Sequence, residues 1–320
     1  MKAKPILLIA GDPYGVFFEL FFKSIKKKNY KSPLILICCK KLLVEQMKIC
    51  NFKKKIRVIE INDIIKNNYD NKYINIINVK LEKSKNKKYD NILLKNYIKS
   101  SFDIALMLTQ NGFTKKLING PINKKNFLNK KFLGITEYIS KNFKKKYGML
   151  IYNKELSVCP LTTHLPIKQV AKKISRKLIS EKIDIIDSFF KRELKTKAKI
   201  AVTGLNPHCE SVSKYNEDER IIPQVINKKI NEGISIKGPY PADTIFLKKN
   251  RKKFNVILGM YHDQVLGPLK ALFEYDAINI TMGLPILRVS VDHGPNERML
   301  NKNKSNPESL IKAINFLDKR

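Results

Sequence analysis

Three of the four histidines in this chain stand where a short apolar run gives way to polar residues. They are His164 in LTTHLP, His208 in TGLNPH and His262 in GMYHDQ. Imidazole is a common protein ligand of borderline divalent metals, and three protein ligands leave one coordination position open for water or substrate. The pattern favours a divalent metal site assembled from distant strand ends. The simpler alternative makes each residue an ordinary turn or core histidine.

Further polar residues occupy similar contexts. They are Asp243 in PADT, Asp263 in HDQ, Lys270, Asn279 in AINIT and Arg288 in ILRVS. Lysine, asparagine and arginine are costly to bury without partners, so their positions in apolar stretches predict that they face a polar cleft. A lysine and an arginine near a metal point to a phosphorylated or carboxylated substrate. The alternative is that both are surface charges.

Strands and helices alternate along the sequence, which predicts an α/β protein with a largely parallel sheet. Short, wholly apolar runs bounded by turns, such as 4–10 and 32–39, are typical of strands covered on both faces. Helices are predicted at 16–28 and at 175–194, where apolar residues recur at helical spacing, and a last helix follows Asn306 as its cap. The remaining strand predictions are 56–61, 75–79, 116–120, 148–153, 156–163, 199–205, 255–261, 277–283 and 286–291.

The net charge of +35 at pH 7 is the most prominent feature of the composition. Lysines are spread from Lys23 to Lys319, often beside asparagine and isoleucine, while glycine is scarce at 13 residues. An A+T-rich coding bias produces this combination. A nucleic-acid-binding protein, the alternative, would concentrate its basic residues in one stripe. The composition therefore predicts solvated basic surfaces and no nucleic-acid partner.

Several function classes are disfavoured by motifs that the sequence lacks. None of the five cysteines forms a C-x-x-C pair, which predicts unpaired thiols in the reducing cytoplasm. No apolar run approaches the roughly 20 residues that span a bilayer, so no membrane partner is expected. The first strand ends in GDPYG without the G-x-G-x-x-G fingerprint, and no P-loop occurs, so a Rossmann-type dinucleotide site is not expected.

Seven segments, in order along the chain, resemble a known family. They are NGPINK (119–124), TTHLP (162–166), LNPH (205–208), KGPYPADTIF (237–246), MYHDQ (260–264), INITMGLPILR (278–288) and SVDHG (290–294). Together they resemble the 4-hydroxythreonine-4-phosphate dehydrogenase family of pyridoxine phosphate biosynthesis. The resemblance implies two α/β/α domains around a cleft, as in isocitrate and isopropylmalate dehydrogenases, in a homodimer. We expect the first domain to comprise residues 1–130 and 300–320, and the second residues 131–299.

The resemblance also implies a site and a reaction. The residues that map to the ligands of one divalent metal per subunit are His164, His208 and His262. Those that map to substrate contacts are Thr136, Lys270, Asn279 and Arg288. The metal is expected to be zinc, with magnesium or cobalt as alternatives, and NAD or NADP is the oxidant. Asp243 and Asp263 are candidates to orient the ligand imidazoles.

The expected reaction oxidises the secondary hydroxyl of 4-hydroxythreonine 4-phosphate. The product, 2-amino-3-oxo-4-(phosphooxy)butanoate, resembles a β-keto acid and therefore loses carbon dioxide readily. Decarboxylation gives 3-amino-2-oxopropyl phosphate, the precursor that the family supplies for pyridoxine 5'-phosphate.

The sequence departs from the family's pattern in four places. Ile135 stands where the family has a second substrate-binding histidine, and Tyr14, Phe17 and Phe18 occupy a stretch where the family has small residues and a proline. Glycine-rich stretches after LNPH and after SVDHG are replaced by CESVSKYNED and PNERMLNKNKS. Because glycine adopts positive φ most cheaply, these losses predict altered turns. A weakened but active enzyme is expected. The alternatives are a dehydrogenase for another phosphorylated hydroxy acid, a degenerate homologue and, more distantly, a basic nucleic-acid-binding protein.

Overall fold

The computed structural model describes residues 3–82, 90–123, 127, 134–211, 216–291 and 294–320. The chain forms two compact units. Unit 1 comprises Met1–Glu137 together with Pro285–Arg320, and unit 2 comprises Tyr138–Leu284. The sequence places the boundaries after residues 130 and 299. The structure instead assigns Thr136 and Arg288 to unit 1, because the strand that carries Arg288 pairs with a strand of that unit.

The strands are β1 (Ile6–Ile9), β2 (Leu34–Cys38), β3 (Ile56–Val58), β4 (Ile74–Asn78), β5 (Lys116–Asn119), β6 (Gly148–Tyr152), β7 (Ser157–Thr162), β8 (Ile200–Thr203), β9 (Ile236–Tyr240), β10 (Val256–Tyr261), β11 (Ile278–Met282) and β12 (Leu287–Ser290). The described α-helices are α1 (Phe17–Lys27), α2 (Lys40–Ile49), α3 (Asn91–Gln110), α4 (Ile135–Phe143), α5 (Ile167–Lys173), α6 (Arg176–Phe189), α7 (Glu217–Arg220), α8 (Ile222–Asn231), α9 (Ala242–Ile245), α10 (Lys248–Arg251), α11 (His262–Phe273) and α12 (Glu308–Asp318).

The strands of unit 1 form a parallel sheet in the order β3-β4-β2-β1-β5-β12. Strands β1, β2 and β5 are buried along their whole length. The continuous apolar sequences of β1 and β2 predict this, whereas β5 also buries the polar Lys116 and Asn119 at its two ends. Helix α12 packs against α1, β1, β5 and β12, so the last described segment of the chain closes the core of this unit. The Asn306 side chain accepts a hydrogen bond from the Glu308 amide (2.9 Å), although the residue at the cap position of α12 is Pro307 rather than the predicted Asn306.

The strands of unit 2 lie in the order β11-β6-β7-β10-β8-β9. Strand β6 runs antiparallel to both neighbours, and the described pairs among β7, β10, β8 and β9 are parallel. The prediction of a largely parallel α/β fold is confirmed. Strand β9 escaped prediction because Gly238 and Pro239 interrupt its pattern. A Cβ on Gly238 would lie 2.5 Å from the Val202 carbonyl oxygen, so only glycine fits there.

Helix α6 packs its predicted apolar stripe into unit 2, where Ile179, Ile183 and Ile186 are fully buried. The helix begins at its cap Ser175, whose hydroxyl accepts a hydrogen bond from the Leu178 amide at 3.3 Å. Among the described helices, none is both long enough and apolar enough to cross a membrane.

Candidate active site

The three predicted metal ligands follow neighbouring strands of unit 2. His164 comes two residues after β7, His262 opens α11 directly after β10, and His208 lies in a 3₁₀ turn after β8. Because β7, β10 and β8 are adjacent and parallel, their carboxyl ends meet at one edge of the sheet. The ring centroids of His164 and His262 are 5.8 Å apart, with 36° between the planes. The structure therefore brings these two imidazoles together.

The His262 ring is oriented by its sequence neighbour. Its Nδ1 lies 2.6 Å from Oδ1 of Asp263, so the other ring nitrogen, Nε2, is left to face a ligand. Asp263 therefore makes the kind of contact that the sequence suggested. Asp243 is an exposed residue of α9. Burial of the Cys209 thiol raises its pKa, and the nearby negative charges of Asp218 and Asp243 raise it further. Asp243 thus lies near the residue that follows His208.

The turn that carries His208 has an unusual backbone. His208 and Cys209 adopt positive φ angles of 56° and 62° in succession, and His164 has φ 46°. Left-handed backbone is costly for residues other than glycine and persists only where the surroundings impose it. The buried Asp218 carboxylate anchors the chain just before His208, because it accepts hydrogen bonds from the Leu205 amide and from both the amide and the side chain of Asn206.

Gln264 joins the ends of the two strands that lead to His208 and His262. Its Oε1 accepts hydrogen bonds from the Met260 amide (2.7 Å) and the Thr203 hydroxyl (2.8 Å). Its Nε2 donates to the Gly204 carbonyl at 2.7 Å. Sequence reasoning missed this buried side chain, although it stands two residues after His262 in the quoted MYHDQ segment.

The donor types and strand-end positions fit a divalent metal, but the ligand set is only partly gathered. Within the described ranges, no group of three or more histidine, cysteine, aspartate or glutamate side chains is arranged to hold a metal ion. His164 and His262 lie together, while His208 occupies the next strand end. His293, in the quoted SVDHG segment, lies outside the described residues.

Two of the predicted substrate residues meet in unit 1. Arg288, on β12, is 2% exposed. Its Nε donates to Oδ1 of Asn119 at 2.8 Å, and its Nη1 donates to the Thr136 hydroxyl at 3.1 Å. Burial lowers the pKa of Arg288 to about 10, while the charge of Glu137 acts in the opposite direction, so the guanidinium is still protonated at neutral pH. The alternative interpretation, in which Arg288 is a surface charge, is therefore wrong.

Thr136 is the second residue of α4, where backbone amides point away from the helix and favour an anion. Ile135 opens this helix and is only 8% exposed, so the residue that departs from the family's pattern packs inward. Asn119, which ends β5, was not singled out from the sequence, although it opens the quoted NGPINK segment.

The other two predicted substrate residues belong to unit 2. Lys270 lies in the last turn of α11, and its Nζ is 3.5 Å from the Glu274 carbonyl oxygen. Asn279 lies on β11, and its Oδ1 is buried with no hydrogen-bond partner among the residues that the structure describes. A buried acceptor of this kind is costly unless a ligand supplies the donor, so Asn279 fits a binding role.

Two of the segments that depart from the family's pattern contact each other in unit 1. The Val16 amide donates to the Pro295 carbonyl (3.1 Å), and the Glu19 carboxylate accepts from the Ser305 amide (2.6 Å). In the second segment, Asn296, Asn301 and Asn303 have φ between 52° and 65°. Asparagine tolerates this conformation better than most residues, so it supplies turns that glycine usually makes.

Known proteins resemble this chain along most of its length. The family described as "Pyridoxal phosphate biosynthetic protein PdxA" matches residues 30–317. The chain belongs to this family. A 4-hydroxythreonine-4-phosphate dehydrogenase from Sulfurihydrogenibium sp. is 32% identical over 317 residues, which cover 97% of this chain and 96% of the relative. A D-threonate 4-phosphate dehydrogenase from Salmonella typhimurium is 28% identical over 325 residues, covering 98% of each.

The same family contains similar solved structures. A crystal structure of 4-hydroxythreonine-4-phosphate dehydrogenase from Klebsiella pneumoniae superimposes with a TM-score of 0.83 at 26% identity, covering 98% of this chain and 97% of that one. The family and the α/β fold predicted from the sequence are thereby confirmed, and the chain is an oxidoreductase of this family.

Proposed function

We propose that this protein oxidises 4-hydroxythreonine 4-phosphate with NAD or NADP, and that the 3-oxo product then loses carbon dioxide to give 3-amino-2-oxopropyl phosphate. Family membership supports the reaction class, and the name of the 32% identical relative supports the substrate. The observation that carries the proposal is the buried Arg288. Its guanidinium is hydrogen-bonded to Asn119 at the carboxyl end of β5 and to Thr136 in the first turn of α4.

The chain's own residues would bind and orient the substrate. Arg288 and Thr136 would contact an anionic group, because a buried guanidinium and a helix start both favour phosphate or carboxylate oxygens. Lys270 would add a second positive charge. Asn279 would accept a hydrogen bond from the substrate at its unpaired Oδ1. These contacts place the secondary hydroxyl for oxidation, since positioning supplies a large share of catalysis.

His164, His208 and His262 would hold one divalent metal, zinc or else magnesium or cobalt, with Asp263 and Asp243 orienting the imidazoles. The 5.8 Å separation of the His164 and His262 rings supports this ligand set, and His208 would join from the adjacent strand end. When bound, the metal would supply the Lewis-acid chemistry that makes the substrate's hydroxyl easier to deprotonate, and the nicotinamide cofactor would supply the oxidising power.

A coupled assay tests this function. Purified protein, treated with a chelator and then resupplied with zinc, magnesium or cobalt, is assayed for NAD and NADP reduction with 4-hydroxythreonine 4-phosphate. We expect metal-dependent turnover that the unphosphorylated analogue does not support. Absence of turnover with every metal and both cofactors would favour the degenerate-homologue alternative.

A second substrate follows from the Salmonella relative, which is named a D-threonate 4-phosphate dehydrogenase. D-threonate 4-phosphate carries a hydroxyl where 4-hydroxythreonine 4-phosphate carries an amine. The same assay with both compounds decides between them. A higher kcat/KM for the hydroxyl compound would replace the first substrate with the second while leaving the reaction class intact.

The resemblance further supports a homodimer that works in the cytoplasm. All five cysteines are free thiols, as expected of a protein in a reducing compartment. Light scattering on the purified protein tests the dimer, and a mass corresponding to a single chain would contradict it. Binding to random duplex DNA with a steep salt dependence would revive the nucleic-acid alternative.

A further inference from the structure

Gln264 is a buried side chain that bridges the ends of β8 and β10, the strands that lead to His208 and His262. We propose that Gln264 is a positioning residue of the metal site, which acts through the backbone by holding the strand ends from which these two histidines extend. This inference rests on the proposed function, because it assumes that both histidines bind a metal. Gln264 would then affect metal affinity as well as stability.

The described register pairs between β8 and β10 stop before the strands end. They run from Ile200 with Val256 to Val202 with Leu258. On its other side, β10 stays paired with β7 as far as Tyr261. The last residues of β10 therefore need a different partner on the side of β8, because buried backbone groups must be hydrogen-bonded.

The side-chain amide of Gln264 supplies that partner. The Val256 amide donates to the Lys199 carbonyl beside β8 at 3.3 Å, and alternate residues of a strand face the same neighbour, so the Met260 amide also faces β8. This amide donates to Oε1 of Gln264 at 2.7 Å, while Nε2 of Gln264 donates to the Gly204 carbonyl at 2.7 Å. The side chain thus takes the place of one peptide group between the diverging strands.

The bridge is tightly packed at both ends. Gly204 lies against the turn of His208, since a Cβ there would be 2.7 Å from Sγ of Cys209. Gly259 lies against the first turn of α11, since a Cβ there would be 3.1 Å from Oε1 of Gln264. A change in the length or position of the bridge would therefore move the turn and the helix start relative to their strands.

Both predicted ligands depend on this placement. His262 lies two residues before Gln264 in the same helical turn, and His208 lies four residues after Gly204. A functional site tolerates displacements of only about 0.5 Å in its side chains. Without the bridge the strand ends could separate, and metal binding would also have to restore the positions of the imidazoles, which lowers the affinity. The hydrogen bonds of Gln264 itself go to neither imidazole.

The substitution Gln264→Leu in the intact protein tests this role. We measure the dissociation constant of zinc by competition with a chromophoric chelator, and the coordination geometry by the visible absorption of the cobalt-loaded protein. We expect zinc affinity to fall at least about tenfold, as for other residues that orient metal ligands, together with a changed cobalt spectrum. Unchanged zinc affinity, or no binding of zinc or cobalt by the wild-type protein, would overturn the proposal.

Asn153→Leu is the matched control. Asn153 is 6% exposed and follows β6, which runs antiparallel to β7, so it lies at the opposite edge of the sheet from the histidines. Its Nδ2 donates to the Asp276 carbonyl, and its Oδ1 accepts from the Glu155 amide at 2.8 Å. We expect a similar fall in melting temperature, but zinc affinity within about twofold of wild type. Equal losses of zinc affinity in the two leucine variants would indicate general destabilisation and overturn the proposal.

Thr203→Val and Thr203→Ser decide the question if Gln264→Leu does not fold. Both alter the same bridge, because the Thr203 hydroxyl donates to Oε1 of Gln264 at 2.8 Å. Valine has the shape of threonine without the donor, whereas serine keeps the donor. Zinc affinity should therefore be lower in Thr203→Val than in Thr203→Ser, and equal affinities in these two variants would overturn the proposal.

Zinc binding and turnover can fail independently. Weaker zinc binding in Gln264→Leu, without oxidation of either substrate by the wild-type protein, would support the positioning role and contradict the proposed function. Metal-dependent oxidation by the wild-type protein, together with unchanged zinc affinity in Gln264→Leu, would support the proposed function and overturn the positioning role.

Discussion

The predicted site residues are held differently in the two units. In unit 1, Arg288 and Asn119 are 2% and 4% exposed and are held by hydrogen bonds between side chains. In unit 2, His164 and His208 are exposed, and their left-handed backbone is what sets their positions. The buried groups behind them, Asp218 and Gln264, bind the loops and strand ends rather than the imidazoles.

This difference reflects the chemistry of the two ligands. A buried guanidinium must be hydrogen-bonded before any substrate arrives, because an unsatisfied buried charge is expensive. Imidazoles that await a metal can remain near solvent, since the ion itself supplies the bonds that bring them to their final positions. Under the proposed function, unit 1 would offer an anion site whose side chains are already hydrogen-bonded, and unit 2 would offer metal ligands placed by their loops.

Removal of an imidazole tests unit 2 and has the largest expected effect. For His262→Ala we expect kcat/KM to fall by more than about a hundredfold, because even a residue that only orients a metal ligand contributes roughly 10–100-fold. Bound metal, measured by elemental mass spectrometry, should fall in parallel. Full metal content in this variant would show that His262 is not a ligand.

The variant His208→Ala sharpens the same test, because His208 is the predicted ligand that the structure does not gather with the other two into one group. Loss of metal comparable to that of His262→Ala is the expected result. Retained metal with reduced turnover would instead indicate a site with two imidazoles and a separate role for His208.

Removal of a positive charge tests unit 1. For Arg288→Ala we expect kcat/KM with the phosphorylated substrate to fall roughly 10–100-fold, since a charge-assisted contact contributes about 1.5–3 kcal/mol. Lys270→Ala in unit 2 should lower it at least about tenfold for the same reason. Metal content should not change in either variant. Wild-type kinetics would show that the altered residue does not contact the substrate.

Gln264→Leu tests whether the supports of unit 2 matter for its stability. The change leaves the Met260 amide, the Thr203 hydroxyl and the Gly204 carbonyl without their partner. We expect the free energy of unfolding, measured with urea, to fall by about 2 kcal/mol, because a buried unsatisfied group costs roughly 1–3 kcal/mol. Gln169→Leu, on the exposed face of α5, is the control and should be nearly neutral.

Ile135→His adds a donor next to the proposed anion site of unit 1. We expect kcat/KM for the phosphorylated substrate to rise about tenfold, because one charge-assisted contact is restored at the start of α4. The unphosphorylated analogue should show little change. If the wild-type protein has no detectable activity and Ile135→His does not restore any, the altered turns at 14–18 and 295–305 become the better explanation of the defect.

Lys116→Met examines a buried cation of unit 1 that has no proposed substrate role. Lys116 is 7% exposed, its Nζ contacts the Ser32 hydroxyl at 3.0 Å, and burial lowers its pKa below 10.5. Below its folded-state pKa the charged lysine opposes folding, and this cost disappears as the pH rises toward 10.5. The variant should therefore be more stable than wild type at neutral pH, with an advantage that shrinks at alkaline pH in urea titrations.

Local sequence was enough to predict most strands and the positions of the histidines, because apolar runs and their ends are properties of neighbouring residues. It could not reveal Asn119 or Gln264 as supports. Asn119 lies 169 residues from Arg288 in the sequence, and Gln264 lies 61 residues from Thr203. Such partners are set by strand order and register, which no single segment specifies. Strand β9 was missed because Gly238 and Pro239 disfavour a strand in the local sequence, while packing in the folded sheet holds this segment as one.

Unit 1 draws its sheet from two stretches of chain that unit 2 separates, and this has a consequence for synthesis on the ribosome. A nascent chain has all of unit 2 available before β12 and α12 are translated. Until then β5 has no partner on the side where β12 pairs, and Asn119 has no guanidinium to hold. A chain truncated before residue 285 would therefore retain the three histidines of unit 2 and an open edge at β5, which is a risk for aggregation. The strand that carries Arg288 is therefore the last strand to join the sheet of unit 1.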